Sequence, residues 1–380
     1  MNDAILENDS FPNVCAKARN GHETTHAFSV KFGGCLITIK SNSAELNARL
    51  KDYLSPFLAE GRAPDMEIIA IDAPPPRIAF PLNVKTPDPG KTKIKEEYHD
   101  FQGGRLVLKR ITGMVFIFGG GTHIGIGPAL KEYNQVINFI NSRYIQWELD
   151  KGGLLMHAAG VSIGGTGLAL SGFSGRGKST LALSMMSMGA DFVSNDRLIV
   201  NESEGALRMN GVAKLPRVNP GTLINNPDIA SILSPVDRRE YEKMDQSALW
   251  NLERKHDVLI EECFGAGKFA LSAEMRGLVV LNWDMNTKAP PRITRSEISE
   301  NRRLLGAFMK SVGLFYESGP YTAEQDFSEE AYIELLSSCP VYEITGGVNF
   351  PFAAKELMGM MESSGGDKQP LRPGFSRTLL

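Results

Sequence analysis

The chain has 380 residues, enough for two domains or for one large α/β domain with a smaller appendage. Its 41 Lys and Arg against 44 Asp and Glu leave a net charge of −3, which excludes the basic footprint of a nucleic-acid or anionic-membrane binder. Four scattered cysteines, Cys15, Cys35, Cys263 and Cys339, lack metal-ligand spacing and argue for a reducing, cytoplasmic setting without structural zinc.

The first residues, with Asp3, Glu7 and Asp9, hold neither a basic segment nor an apolar run, so no secretory signal is expected. Residues 1–25 are polar and patternless and are expected to form a flexible arm. A small α/β region is expected over 26–100: a strand over 28–39, a helix entered through a capping box of Asn42 and Glu45, and a strand over 66–71. Residues 73–95 gather Pro74, Pro75, Pro76, Pro81, Pro87, Pro89 and Gly90, which suits a linker or a long surface loop. Strands follow over 105–109 and 114–118. The cluster Gly119, Gly120, Gly121, Gly125 and Gly127 lacks both the strand-turn-helix frame and the later acid of a dinucleotide fingerprint, and is expected to be a solvent loop. From near Pro128, Leu130, Tyr133, Val136, Ile137, Ile140, Tyr144 and Trp147 recur at steps of three and four and mark one face of an amphipathic helix. That stripe is read as core, with a partner surface, and hence a homo-oligomer, as the alternative.

Residues 154–170 are the most apolar part of the chain, but Gly160, Gly164, Gly165 and Gly167 break them into a strand hairpin rather than a membrane span. With Gly164 and Gly165 at its tip, the hairpin sets His157 opposite Gly172. Two readings of His157 stand: a buried, hydrogen-bonded core histidine, or a group held near bound phosphates.

The hairpin runs into Gly172, Phe173, Ser174, Gly175, Arg176, Gly177, Lys178 and Ser179, which fit G-x-x-x-x-G-K-[ST]. In this motif the glycines let backbone N–H groups converge on a β-phosphate, Lys178 reaches the β and γ oxygens, and the Ser179 hydroxyl binds Mg²⁺. A helix beginning at Thr180 and stopped by Gly189 adds its positive dipole end. The expected cofactors are therefore ATP and Mg²⁺. After the helix, the apolar run 191–194 ends in Asn195 and Asp196; a right-handed crossover makes it a strand parallel to the one before the loop, with Asp196 beside the γ-phosphate and its metal. Asp284, at the end of the apolar run 278–283, is the alternative acid.

These residues resemble HPr kinase/phosphorylase and its relatives, whose catalytic domain is related to phosphoenolpyruvate carboxykinase. In that family a histidine heads a hairpin running into G-x-S-G-x-G-K-S, followed by a helix, a glycine, an apolar strand and an Asp pair. His157, Gly172 to Ser179, Gly189 and Asn195-Asp196 reproduce the layout, with Asp196 seventeen residues after Ser179 as the family's second aspartate is. The resemblance covers roughly 150–200, with residues 340–344 as a closing strand. It implies a phosphoenolpyruvate carboxykinase-like α/β P-loop kinase domain over 101–362, beside the smaller N-terminal α+β region and a tail over 363–380. The family's first aspartate is Asn195 here, and its glutamate-arginine-glycine signature is replaced by residues 214–222, with a faint echo at 261–267. Kinase activity is the implied function; phosphorylase activity and HPr as partner are not.

The leading expectation is transfer of the γ-phosphate to a hydroxyl, on a protein serine or a small metabolite. Asp196 accepts the hydroxyl proton, with His157 beside it, while Lys178 and the Mg²⁺ on Ser179 neutralise charge. Lys214 and Arg217 are read either as further phosphate contacts or as surface charges on a loop. Two other classes stand beside it: a motor-type or transporter ATPase, although L-S-G-G-Q appears nowhere, and a nucleotide-gated binding module, which Asn195 favours.

Overall fold

Strands β1 (His26–Phe32) and β2 (Cys35–Ser41) bury alternate side chains, as the alternation in Leu36-Ile37-Thr38-Ile39-Lys40 dictates for a sheet with one face on a core. In this computed structural model, which describes residues 4–61, 63–87, 92–284, 286–317 and 325–363, they belong to the first of two units. That unit comprises Met1–Asp150 with Val312–Gln325; the second comprises Lys151–Ser311 with Asp326–Leu380. The fold is mixed α/β with two large sheets. Among the described residues no helix is long and apolar enough to cross a membrane.

In the first unit, β3 (Met66–Asp72), β4 (Asn83–Val84), β5 (Glu96–Phe101), β6 (Gly104–Lys109), β7 (Val115–Gly119) and β8 (Thr122–Gly127) complete an eight-stranded sheet of order β1-β2-β3-β8-β7-β6-β5-β4. Several expectations are corrected here. The N-terminal stretch is not a loose arm: it holds helix α1 (Phe11–Arg19), and Ile5, Phe11, Val14 and Ala18 are buried against Ile69, Ile117 and Ile124. Its apolar residues fall one helical turn apart, a period that the polar residues around them mask in the sequence. Residues 101–150, assigned from sequence to the kinase domain, belong to this unit, with β6, β7 and β8 paired into its sheet, so the first unit runs to Asp150. The proline-rich stretch is internal to the unit and carries edge strand β4; its residues 88–91 lie outside the described ones. The glycine cluster is the β7–β8 hairpin rather than a solvent loop, since Gly125 pairs with Phe116 and a side chain there would meet the Phe116 ring. Helix α2 (Ala44–Tyr53) is capped by Ser43, whose Oγ accepts from Leu46 N; Asn42 instead exchanges hydrogen bonds with the backbone of Asp72. Helix α3 (Tyr133–Leu149) follows Pro128 by a short turn and buries Val136, Ile137, Ile140 and Tyr144.

The second unit contains β9 (Leu154–Met156), β10 (Ala158–Ile163), β11 (Thr166–Gly172), β12 (Asp191–Ser194), β13 (Leu198–Ser203), β14 (Ala206–Gly211), the pair β15 (Arg217–Val218) and β16 (His256–Asp257), then β17 (Ser272–Leu281), β18 (Arg292–Ser296) and β19 (Val341–Thr345). Its helices are α4 (Lys178–Met186), α5 (Pro220–Ile224), α6 (Pro235–Tyr241), α7 (Gln246–Asn251), α8 (Ile260–Phe264), α9 (Leu305–Phe308), α10 (Glu329–Leu335) and α11 (Phe350–Ser363). The central strands are buried on both faces. Ala159, Val161, Leu168, Leu170 and Val279 meet α4 and α11, while Ala158, Ala169, Leu278 and Val280 meet Leu305, Phe308 and Tyr332. The residues 340–344 expected to close the domain supply β19, parallel to β17. The expected tail falls almost wholly on 364–380, outside the described residues.

The principal sheet runs β12-β10-β11-β17-β14-β13-β9, yet β9 and β10 are separated only by His157, and β12 and β13 only by Asn195, Asp196 and Arg197. The ends of the strand path are thus joined by the chain itself. β10 pairs antiparallel with β12 (Gly160↔Ser194) and β9 with β13 (Met156↔Leu198), in the same register on both sides of the break. His157 and Asn195-Asp196-Arg197 face each other across that interruption, where ladder pairing gives way to side chains.

Candidate active site

The β10–β11 hairpin turns on Gly164 and Gly165, both at positive φ (57° and 83°), the two-residue turn that suits strand twist. Its register pairs Ala158 with Ser171, and the next residues in each direction are His157 and Gly172. The one proton of Ser171 Oγ is shared between the carbonyls of His157 (3.0 Å) and Ala307 (2.8 Å), and His157 N donates to Phe308 O at 2.6 Å. These bonds fix the backbone of His157 beside the loop entrance.

The loop passes from β11 into α4. Gly177, at φ 84°, is the left-handed residue before the helix, and a Cβ there would lie 2.5 Å from the Phe350 ring. The amides of the first turn of α4, Lys178, Ser179 and Thr180 among them, have no partner within the helix, which makes this end a candidate anion site. Lys178 Nζ donates to Gly172 O across the loop at 3.0 Å. Burial lowers the Lys178 pKa; Asp196 opposes this and Lys310 adds to it. Arg176 Nη1 donates to Trp283 O (2.6 Å) and Trp283 Nε1 to Arg176 O (2.9 Å), a reciprocal pair that ties the loop to the end of β17. Thr180 Oγ1 meets Thr222 Oγ1 at 2.8 Å, holding the start of α4 against α5.

A cavity of about 880 Å³ opens before the loop, lined by Ser174 to Thr180, His157, Asn195, Asp196 and Arg197 among others. Gly172 and Phe173 are not on its wall: Gly172 contributes its carbonyl to Lys178, and Phe173 lies 37% exposed. His157 Nε2–H donates to Asp196 Oδ1 at 2.9 Å, and Lys310 Nζ lies 3.4 Å from Asp196 Oδ2. Burial alone would raise the Asp196 pKa. The hydrogen bond from His157 and the charges of Lys310, His157 and Arg197 outweigh it and hold the carboxyl well below the usual range. Strand β12 is antiparallel to β10, which is antiparallel to β11, so β12 does run parallel to β11, with β10 between them. Asp284 lies elsewhere: its Oδ1 accepts from Asn286 N, and it is not on the cavity wall.

Several residues on the wall, or touching Asp196, had no sequence signal. Lys310 reaches Asp196 because Met309 bridges to Met156, a contact between residues distant in sequence. Trp250, Trp283 and Phe350 form an aromatic wall, with Phe350 stacked on Trp250 (6.4 Å, 26°) and edge-on to Trp283 (5.0 Å, 90°). Lys214 and Arg217, flagged from sequence, both line the cavity. The donors available to a cation there are oxygens: Ser179 Oγ, the Asp196 carboxylate, and the amide oxygens of Asn195 and Asn219, both buried with no hydrogen-bond partner among the described residues. That donor chemistry fits Mg²⁺.

No protein-family model matches the chain, and no curated protein matches it. Among solved structures it is similar to the HPr(Ser) kinase/phosphatase from Coxiella burnetii, at 13% identity and a TM-score of 0.30, over 56% of this chain and 93% of that one.

Proposed function

We propose that the chain is an ATP-dependent phosphotransferase acting on a hydroxyl, of the HPr kinase-related type. The observation that carries this is the pairing, in one cavity, of a phosphate loop closed by Lys178 with a His157–Asp196 hydrogen bond at 2.9 Å. The loop amides and Lys178 hold the phosphates, and Ser179 with Asp196 would hold Mg²⁺, which neutralises charge on the phosphate oxygens. The aromatic wall offers π faces on which a base stacks. The acceptor oxygen attacks the γ-phosphorus, the bond to the β–γ bridging oxygen breaks, ADP leaves with the electron pair, and the hydroxyl proton passes to Asp196. A carboxylate of low basicity suits this role, because phosphoryl transfer through a loose transition state asks the protein for positioning more than for proton abstraction. His157 orients that carboxylate from one oxygen and Lys310 from the other.

The test is incubation of the full chain with γ-labelled ATP and cell extract, then location of the label. Transfer to an acceptor that is abolished in Lys178→Ala supports the reading. Hydrolysis without any labelled acceptor returns the ATPase reading, and tight binding without turnover returns the nucleotide-gated module. Transfer unaffected by Lys178→Ala defeats the phosphate-loop assignment.

A further inference from the structure

The cations around the cavity fall into two groups that share Asp196. Lys310 and Asp196 both act on Lys178, on the side of the phosphate loop. On the other side, Lys214 feels Arg197, Arg217, Asp257 and Asp196. Of the carboxylates near this second group, Asp257 meets Arg217 Nε at 3.1 Å and Asp196 is held by His157 and Lys310; Glu253 and Lys255, one of each sign, also line the cavity. With Glu253 and Lys255 offsetting each other, Arg197, Lys214 and Arg217 against Asp257 leave an excess of positive charge beside the carboxylate proposed to take the acceptor's proton. Arg197 and Lys214 are half-buried and Arg217 is exposed, so this charge runs from within the cavity to its rim.

We infer that the phospho-acceptor is a small molecule carrying, besides its hydroxyl, an anionic group of its own, a carboxylate or a phosphate, seated among Arg197, Lys214 and Arg217. The inference rests on the phosphotransferase reading. With the donor phosphates on the loop and the hydroxyl at Asp196, the second group of cations is the one left to meet the rest of the acceptor. The bonds that form and break are those given above; the acceptor's own anion is unchanged and serves to orient the hydroxyl. Burial and the two guanidinium groups bring Lys214 down to about 8, and an anion placed among the three raises its hold on the proton.

The full chain with Mg·ATP is offered hydroxy acids and sugar phosphates beside neutral polyols and a serine peptide. Transfer confined to the anionic small molecules is expected, with Lys214→Met and Arg217→Gln each raising the acceptor KM about tenfold or more and leaving the KM for ATP within about twofold. Arg217 is exposed, so its variant guards against a folding defect. A readout without turnover is calorimetry of inorganic phosphate added to protein saturated with a non-hydrolysable ATP analogue: binding to the wild type, weakened about tenfold in both variants, is expected. Neutral compounds or the serine peptide phosphorylated as well as the anionic ones, or phosphate binding unchanged in the variants, overturns the inference and leaves the kinase reading standing. Transfer to nothing, with nucleotide binding indifferent to Lys178→Ala, overturns both.

Discussion

The protein around Asp196 partly desolvates it, yet the hydrogen bond from His157 and the charges of Lys310 and Arg197 hold it as an anion. Because its pKa is depressed, the carboxylate stays ionised as pH falls through the range where ordinary carboxyl groups protonate. Its protonation therefore does not shape the acid limb of activity. Asp196→Asn keeps size and hydrogen-bond reach but removes charge and proton acceptor; phosphoryl transfer should fall on the order of 10²-fold with nucleotide binding retained. Asp284→Asn should leave the rate unchanged, and the opposite pattern in steady-state kinetics would reverse the assignment. In the proposed reaction His157, whose Nε2 meets Asp196, would act through that carboxylate and not on the phosphates. His157→Ala should lower kcat more than it raises either KM, His157→Gln should restore part of the loss by donating to Asp196, and thermal stability should stay near wild type. Lost stability with normal specific activity in the folded fraction returns His157 to a core role.

At the level of elements, the phosphate loop depends on Gly177, where a left-handed φ and the nearby Phe350 ring both refuse a side chain. Gly177→Ala is expected to cost about 1–3 kcal/mol of stability and to weaken nucleotide binding, read by thermal melts and titration. Phe350→Ala in the same background should recover part of the stability if the ring is the obstacle. Helix α1 gives a second test: Phe11 lies over Gly104, where a Cβ would stand 2.1 Å from its ring, and Phe11→Ala should cost about 3 kcal/mol or more in urea unfolding. A loose arm would show no change. The elements legible in the sequence were those whose determinants are local. The loop is written in fixed residue types, and two adjacent glycines set the hairpin register that puts His157 level with Gly172. The closure of the sheet was not legible, since it rests on β9 meeting β13 more than forty residues away. Trp250 and Phe350 reach the cavity, and Lys310 reaches Asp196, for the same reason: each arrives through non-local packing, and no short-range pattern marks them. Helix α1 is not legible in the sequence because three buried residues in nine give a weak period among polar neighbours.

At the scale of the molecule, the first unit carries its own acid lability. His123, opposite Phe118 in the β7–β8 ladder, is held neutral by burial and by the charge of Arg143, which together bring it down to about 3. Between pH 3 and 6.5 the unfolded chain binds a proton here that the folded one does not. The stability tied to neutral His123 is therefore complete above about pH 6.5 and is lost as pH falls toward 3. Urea titrations of the full chain across this window should show a limb that becomes shallower, by up to about one proton, in His123→Gln. An unchanged slope would place the acid sensitivity in the carboxylates instead.

The first unit is also discontinuous, and this bears on how the chain is made. Phe315 stacks on Phe118 (5.5 Å, 23°), Arg105 Nη1 donates to the carbonyls of Leu314 and Tyr316, and Gln146 exchanges hydrogen bonds with the backbone of Glu317. All three partners on the β-sheet and helix side have left the ribosome long before residue 312 is translated. During synthesis the N-terminal sheet therefore waits, with the side of Phe118 that meets Phe315 uncovered, while every strand of the second unit except β19 is produced. A nascent chain stalled before residue 312 presents that apolar face to chaperones and to other chains, so the timing of translation across residues 151–317 sets how long the protein is exposed to misassembly.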